Sequence, residues 1–330
     1  MNASTHAMLA NAWFVLIGLM LAFYVITDGF DLGVGILSLF TRREDQRDQI
    51  FASIAHVWDA NETWLVVLGG ALFGAFPAAY AALMSGLYLP VMALIASLIL
   101  RGAAIEFRHA ARDKRGWDLA FGLGSLGAAL AQGVVLGRVI TGLAPGWGSL
   151  LFVAVAALGV VAGYVLLGAG YLLKKTGGLL ARRARGWVVL GLAATLLAAS
   201  VLTVFTLFLS ALGRERWAQP GALPVLLGFG ALAALACAWI VYALFVGERR
   251  GPFRAAILLF LASFGGLAFS LFPNLLPGRL TVLQAASDNA TLLFMLIGIG
   301  FVFPIMIGYN LYQYHALRGE VAQAGQAPHA

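Results

Sequence analysis

Residues 150–173 read LLFVAVAALGVVAGYVLLGAGYLL, and this run contains no Asp, Glu, Lys, Arg or His. About 20 consecutive apolar residues are enough for a helix to cross a lipid bilayer. Similar runs fill most of the chain, which is 62% hydrophobic and only 11% charged, whereas a soluble globular domain has about 25% charged residues. The sequence therefore predicts that lipid surrounds most of this protein.

Two of the longest apolar runs contain turn signals, at Pro77 and at the Pro-Gly-Trp-Gly of residues 145–148. Dividing the runs there predicts about nine membrane-spanning helices, near residues 10–40, 50–75, 79–107, 118–140, 150–173, 187–212, 223–246, 254–272 and 289–314. The runs are continuously apolar, whereas the strands of a membrane barrel alternate every second residue. The predicted fold class is an all-α, polytopic membrane bundle over residues 1–317, with a short polar tail at 318–330.

The positive charges are distributed unevenly between the two sets of loops. One set holds 16 of the 21 basic residues: Arg42, Arg43, Arg47, Arg108, Arg112, Lys114, Arg115, Lys174, Lys175, Arg182, Arg183, Arg185, Arg249, Arg250, Arg254 and Arg318. The opposite set holds Arg138, Arg214, Arg216 and Arg279, while Arg101 lies inside a span. Because cytoplasmic loops carry an excess of Lys and Arg, we expect an outer amino terminus and a cytoplasmic carboxyl terminus, a parity that requires an odd number of spans.

Several other classes of protein are disfavoured. The net charge of +7 does not indicate nucleic-acid binding, because the basic residues lie in short loops and are not interleaved with aromatic residues. Cys237 is the single cysteine and lies within a span, which predicts neither a disulfide nor a metal site. The first apolar run follows no basic residue and precedes no small-residue cleavage site, so we expect a retained helix.

Glycines and prolines inside the spans predict local features of the helices. Gly29 with Gly33, and Gly70 with Gly74, have the four-residue spacing that lets two helix backbones approach each other in a membrane. We expect both pairs to serve packing alone. Prolines at 90 and 304 also lie inside predicted spans, where each is expected to bend its helix.

Two predicted spans carry most of the polar residues at membrane depth. Asp28 and Asp31 are three residues apart in the first span, and His56, Asp59 and Glu62 follow one another at steps of three in the second. Residues three apart lie on one face of a helix. At about 1.5 Å of rise per residue, both groups fall in the half of the membrane that we expect to be cytoplasmic.

Four carboxyl groups with only Arg101 and His56 as neighbouring cations would not all stay ionised in a low dielectric, so some should hold protons at neutral pH. Ionisable residues inside a membrane usually mark ion or proton paths. The sequence therefore predicts a proton relay that opens to the cytoplasm. The alternative is structural, with each carboxyl group satisfying backbone donors or pairing with Arg101.

The histidines do not suit haem ligation, which normally uses His, Met or Cys as axial ligands. His6 and His329 are near the termini, His109 and His315 lie at inner helix ends, and only His56 lies well inside a span. Because two histidines at matching depth are missing, we expect this chain to ligate no haem and His56 to serve in the relay or in packing.

Several segments resemble subunit II of cytochrome bd-type ubiquinol oxidases. They are TDGFDLGVG at 27–35, WDANETW at 58–64, GGALF at 69–73, FP at 76–77, FPNL at 272–275, AAS at 285–287, and Pro304 with Gly308-Tyr309. The similarity runs from the first span to the last. Ala60 stands where many relatives have glycine, and the short chain favours the cyanide-insensitive branch.

The resemblance implies two four-helix bundles and a peripheral helix, in the cytoplasmic (inner) membrane of a bacterium. It also implies an obligate partner, subunit I, which holds haems b and d, oxidises quinol and reduces O₂ to water, so that this chain alone does not turn over. Asp59 and its neighbours correspond to a cytoplasmic proton path, and Trp64 to an oxygen route found in some members. Small single-helix accessory subunits and a structural quinone also occur in the family, and the quinone's contacts here are unknown.

Two other functions also suit the sequence. A proton-coupled secondary transporter would use the carboxyl groups and the glycine-rich helices, but it needs paired interrupted spans, and no internal repeat is visible. A scaffold that only stabilises a partner would leave the carboxyl groups unexplained. We therefore predict an oxidase subunit.

Overall fold

The computed structural model describes residues 3–209 and 217–316, and most of these are helical. The helices are α1 (Ala3–Ser38), α2 (Glu44–Ile54), α3 (Trp58–Ala75), α4 (Pro77–Gly86), α5 (Tyr88–Phe107), α6 (Arg115–Ile140), α7 (Trp147–Lys175), α8 (Gly178–Leu209), α9 (Ala222–Phe245), α10 (Gly251–Leu271), α11 (Val282–Ala285) and α12 (Asn289–Ala316). A 3₁₀ turn, Arg108–Ala110, follows α5, and a small hairpin pairs β1 (Asn274–Leu276) with β2 (Leu280–Thr281). The predicted all-α class is confirmed, and the hairpin is an addition that the apolar runs do not predict.

Some predictions fall on residues outside the described part of the chain. These are the end of the span predicted at 187–212, Arg214, Arg216, and the whole of the tail predicted at 318–330, with Arg318 and His329. The division into a bundle and a tail therefore stays a prediction.

Eight of the described helices, α1, α5 to α10 and α12, are long and apolar enough to cross a membrane. Helix α3 is 18 residues long, but Asp59, Asn61 and Glu62 make its first two turns polar. The chain is therefore a multi-pass membrane protein. The count of nine spans and the in-out orientation remain predictions.

The span predicted at 50–75 is wrong as a continuous helix. Helix α2 ends at Ile54, residues 55–57 form a turn, and α3 begins at Trp58. His56 therefore precedes α3 instead of sharing a helix face with Asp59. The sequence gives no turn signal here, because residues 54–57 read Ile-Ala-His-Val and include neither glycine nor proline.

The span predicted at 79–107 is also divided. Helix α4 ends at Gly86, Leu87 caps both it and the next helix, and α5 begins at Tyr88. Pro90 thus lies in the first turn of α5, where a missing backbone N–H removes no helical hydrogen bond. The bend expected at Pro90 is wrong, because this proline lies at a helix start and not in a helix interior. Pro304, in contrast, does lie inside α12.

The long helices form two groups of four. Helices α1, α3, α5 and α6 make the first bundle, helices α7 to α10 make the second, and α1 and α7 pack together between the two bundles. Helix α12 contacts α1 and α3 from the outside, and only 6% of its apolar segment is buried. This agrees with the two bundles and the peripheral helix that the family resemblance implies.

The helix ends form two groups. Three contacts join loops that carry most of the Lys and Arg residues: Arg108 with Asp48, Arg183 with Gln46, and the Gln313 amide with the His56 carbonyl. Two contacts join the opposite loops: His6 with Asn289, and Arg279 with the Gly142 carbonyl. We call the first group the basic end, and the two groups match the two predicted loop sets.

The contact between α1 and α7 depends on Gly33 and Gly168. A Cβ atom on Gly33 would lie 1.8 Å from the Tyr164 carbonyl oxygen, and one on Gly168 would lie 2.5 Å from the Gly33 carbonyl carbon. Both near atoms are backbone and have no room to move aside. Packing is thus confirmed for the predicted pair of Gly29 and Gly33. In the second pair, a Cβ on Gly74 would lie 2.5 Å from the Met295 sulfur, whereas a Cβ on Gly70 would meet nothing within 4 Å.

Replacing Gly33 by alanine should destabilise the protein by about 2 kcal/mol, because the added methyl group forces α1 and α7 apart. Gly70→Ala is a matched control on α3, since its methyl group enters open space. The thermal unfolding midpoint in detergent measures both. An equal midpoint for the two variants would contradict the packing role of Gly33.

Candidate functional site

An ion cluster joins three helices inside the first bundle. The Arg101 guanidinium of α5 donates from Nη1 to Oδ1 of Asp28 on α1, at 2.6 Å, and from Nη2 to Oε2 of Glu62 on α3, at 2.8 Å. The side chains of Arg101 and Asp28 are fully buried, while that of Glu62 is 26% exposed. Such charge-assisted bonds are strong, so Arg101 fixes these three helices relative to one another.

Asp31 is buried one turn along α1 from Asp28 and has a different environment. Its Oδ2 accepts from the Asn61 side-chain amide at 2.7 Å, and Asn61 Oδ1 in turn accepts from the Tyr314 hydroxyl at 2.6 Å. Within the described residues, neither of these partners carries a charge, and Oδ1 of Asp31 has no hydrogen-bond partner. Three carboxyl groups, those of Asp28, Asp31 and Glu62, thus lie near a single guanidinium group.

One positive charge cannot balance three negative charges, so we expect at least one of the three carboxyl groups to hold a proton. An isolated carboxylate is costly in a low dielectric, and it becomes neutral unless a cation or several donors compensate its charge. Asp28 and Glu62 contact Arg101 directly, whereas Asp31 does not. Asp31 is therefore the carboxyl group best placed to hold a proton.

Asp59 lies apart from this cluster, in a surface groove between α3 and α12 near the end of α5. The groove has a volume of about 810 Å³, and its polar lining residues are His56, Asp59, Thr63, Glu106, Asn310 and Gln313. His56 and Asp59 are exposed in this chain. Asp59 is nonetheless near enough to Glu62 to interact with it electrostatically.

The carboxyl groups thus form a series that goes from the groove to the interior of the bundle. Asp59 is exposed, Glu62 is partly exposed, and Asp28 and Asp31 are fully buried. The predicted grouping of Asp28 with Asp31 and of Asp59 with Glu62 holds in the structure. The predicted placing of His56 on the same helix face is wrong, because the turn at residues 55–57 lies between.

Sequence reasoning missed several polar residues of this region. Glu106 lies in the groove, Asn61 and Tyr314 contact the Asp31 side, and Gln132 bridges two tyrosine hydroxyls, accepting from Tyr164 and donating to Tyr24. Asn61 and Gln132 could have been found, since an amide in an apolar span usually faces the bundle interior. Tyr314 gives no such signal, because tyrosines are common near the ends of membrane helices.

Trp64 is buried within a group of aromatic rings. Its ring stacks on Phe23, with centroids 4.8 Å apart, and meets the edge of Phe303 at 5.5 Å. Its indole Nε1 is buried and makes no hydrogen bond within the described residues. The surroundings of Trp64 are thus apolar, and the oxygen route stays a prediction.

The described histidines belong to four different elements of the fold. His6 pairs with Asn289 at 2.7 Å, His56 lies in the turn before α3, His109 lies in the 3₁₀ turn and His315 lies in the last turn of α12. No group of three or more His, Cys, Asp or Glu side chains in residues 3–209 and 217–316 could hold a metal ion. The expectation that this chain ligates no haem stays a prediction.

Comparisons with known proteins agree with one another. A family model described as cytochrome bd terminal oxidase subunit II matches residues 9–317. Cytochrome bd ubiquinol oxidase subunit 2 of Bacillus subtilis is 27% identical over 96% of this chain and 98% of its own length. Cytochrome bd-I ubiquinol oxidase subunit 2 of Escherichia coli K12 is 38% identical, but the matched segment spans only 42% of this chain and 38% of that relative.

A solved structure has the same fold. It is the bd oxidase from Geobacillus thermodenitrificans, and one of its chains matches with a TM-score of 0.75 over 94% of this chain and 99% of that chain. The two sequences are 20% identical, so this likeness concerns the arrangement of helices.

Proposed function

Because the chain belongs to the cytochrome bd terminal oxidase subunit II family, we propose that it is the second subunit of a quinol:oxygen oxidoreductase in a bacterial cytoplasmic membrane. Its partner is a haem-bearing subunit I, which holds haems b and d, oxidises quinol and reduces O₂ to water with four electrons. We prefer this function to that of a proton-coupled secondary transporter, because the matching family consists of oxidase subunits. A structural quinone and single-helix accessory subunits belong to the same proposal.

This chain supplies protons to that reaction. The observation that carries this part of the proposal is the series of carboxyl groups with falling exposure, from Asp59 in the groove through Glu62 to Asp28 and Asp31 in the interior. Oxygen reduction to water consumes protons, and a hydrophobic bundle conducts them only along titratable or hydrogen-bonding groups. Asp59 is the entry group, and Glu62 passes the proton inward.

The buried aspartates have different roles. Asp28 is the direct partner of Arg101, which it contacts at 2.6 Å, and it keeps the cluster assembled. Asp31 has neutral partners and holds the transferable proton. His56 lies at the edge of the groove and assists entry, and the apolar rings around Trp64 suit the passage of O₂, which is itself apolar.

The aspartate roles predict different stabilities for two isosteric variants. Asp31→Asn should leave the thermal midpoint within a few degrees of the parent value, because asparagine resembles a protonated aspartate in size and charge. Asp28→Asn should lower the midpoint more, because it removes a direct partner of the buried Arg101. Thermal unfolding of the two purified variants tests this assignment. A larger loss for Asp31→Asn would show that Asp31 is the ionised group.

The function itself is tested by purifying the affinity-tagged chain and recording its visible absorption spectrum. Together with its partner it should show the bands of b- and d-type haems and oxidise quinol. Expressed without the partner, the folded chain should be colourless, because its described histidines lie in turns or near helix ends instead of deep inside the spans. Stoichiometric haem in the lone folded chain would refute the assignment of haem binding to the partner subunit. The absence of a haem-bearing partner would refute the proposed function.

A further inference from the structure

The basic end carries two groups of charges that differ in their compensation. In the first bundle, ion pairs join Arg43 to Asp45, Arg47 and Arg108 to Asp118, Arg108 to Asp48, and Lys114 to Glu44 and Asp48. In the second bundle, eight basic residues have one acidic neighbour in the sequence, Glu248. These eight, the second-bundle patch, are Lys174, Lys175, Arg182, Arg183, Arg185, Arg249, Arg250 and Arg254.

Three residues of the patch are held by neutral partners. Lys174 Nζ lies over the ring of Phe253, 5.0 Å from its centroid, Arg185 donates to the Leu244 carbonyl oxygen, and Arg183 donates to the side-chain oxygen of Gln46 at 2.8 Å. Rings, carbonyls and amides orient a cation without cancelling its charge.

Most of the patch therefore has no acidic side chain paired with it among the described residues. Six of the eight residues make no ion pair with an acidic side chain in the part of the chain that the structure describes: Lys174, Arg182, Arg183, Arg185, Arg250 and Arg254. Lys174 is close enough to Arg250 and Arg254 for their charges to repel its own. Membrane topology explains why such a loop is basic, but it does not explain why four of the seven basic residues at this end of the first bundle make ion pairs and these six make none in the described residues.

Apolar surface of the membrane helices adjoins the patch. Phe245, at the end of α9, is 86% exposed, and Leu190, one to two turns beyond Arg185 on α8, is 67% exposed. A ligand that satisfies both surfaces has an anionic head and a hydrocarbon tail. Basic pockets at the ends of membrane helices bind anionic lipid headgroups for this reason.

We propose that the second-bundle patch binds the headgroup phosphates of anionic phospholipids, whose acyl chains lie along α8 and α9. The proposal rests on the charges and on the membrane helices, and it is independent of the oxidase function. A free phosphate ion shares the headgroup chemistry, but it would leave the apolar surface uncovered.

The test is native mass spectrometry of the full chain, purified in detergent with the subunits that accompany it. Phosphatidylglycerol and phosphatidylcholine with the same acyl chains are titrated separately, and then phosphatidylglycerol is titrated with millimolar inorganic phosphate. We expect the parent protein to bind phosphatidylglycerol at least about tenfold more tightly, since each basic residue near an anionic surface contributes roughly a fivefold factor. Inorganic phosphate should not displace the lipid.

Two triple variants place the site. Arg182→Gln, Arg250→Gln and Arg254→Gln together should abolish the preference for phosphatidylglycerol. Arg42→Gln, Arg112→Gln and Arg115→Gln together remove the same charge from exposed positions at the same end of the first bundle, and they should leave the preference unchanged. Equal binding of the two lipids by the parent, displacement by phosphate, or an equal loss in both triple variants would overturn the proposal.

Discussion

Replacing Arg101 by methionine should prevent most of the protein from folding, with a loss of about 3–5 kcal/mol in stability. Methionine matches the length of the arginine stem but removes the guanidinium that binds Asp28 and Glu62. Asp28 is fully buried, so its carboxylate would be left without a counterion in a low dielectric. The yield of monodisperse protein and its thermal midpoint in detergent measure the loss.

A second substitution separates lost charge from lost packing. Arg101→Met combined with Asp28→Asn should recover much of the stability, because the buried pair is then neutral on both sides. Arg42→Met, at an exposed arginine of the same bundle, serves as the control and should be neutral. If Arg101→Met alone is as stable as the parent protein, the ion cluster does not hold the three helices together.

Replacing Asp59 by asparagine should slow quinol oxidation at least about tenfold while the haem content of the complex stays normal. Asparagine keeps the size and hydrogen bonding of aspartate but does not titrate, so proton transfer must pass the missing site over a higher barrier. A barrier higher by about 1.36 kcal/mol corresponds to a factor of ten in rate. Oxygen consumption with a soluble quinol, normalised to haem, measures the effect.

Two variants in the same groove are matched controls for Asp59. Asp59→Glu restores a titratable group and should recover part of the activity. Thr63→Val alters a neighbouring groove residue that does not titrate, and its rate should equal that of the parent. Full activity of Asp59→Asn at normal haem content would remove Asp59 from the proton path.

The apolar runs allowed the long helices to be predicted because lipid imposes a simple condition on sequence. Each span must satisfy its backbone hydrogen bonds internally and present about 20 apolar residues. The two interrupted spans, at 50–75 and 79–107, show the limit of this condition. Hydropathy averages over a window, so it does not detect the turn at residues 55–57 or the break at Leu87.

The candidate site was predicted in its residue types but not in its pairings. Charged residues are rare inside membranes, and this rarity is enough to single out Asp28, Asp31 and Glu62 in the sequence. Their spacing along one helix says nothing about residues on other helices. The partners Asn61 and Tyr314 are identified only by hydrogen bonds between helices.

Local composition and short motifs in the sequence are enough to identify an all-α membrane protein, its basic loops and its family. Tertiary packing paired Arg101 with Asp28 and Glu62 and left Asp31 without a direct cationic partner among the described residues. It also placed Asp59 in a groove against α12 and left six residues of the second-bundle patch without an ion pair in the described part of the chain. These outcomes depend on distances between residues far apart in the chain, and such distances are set by helix packing.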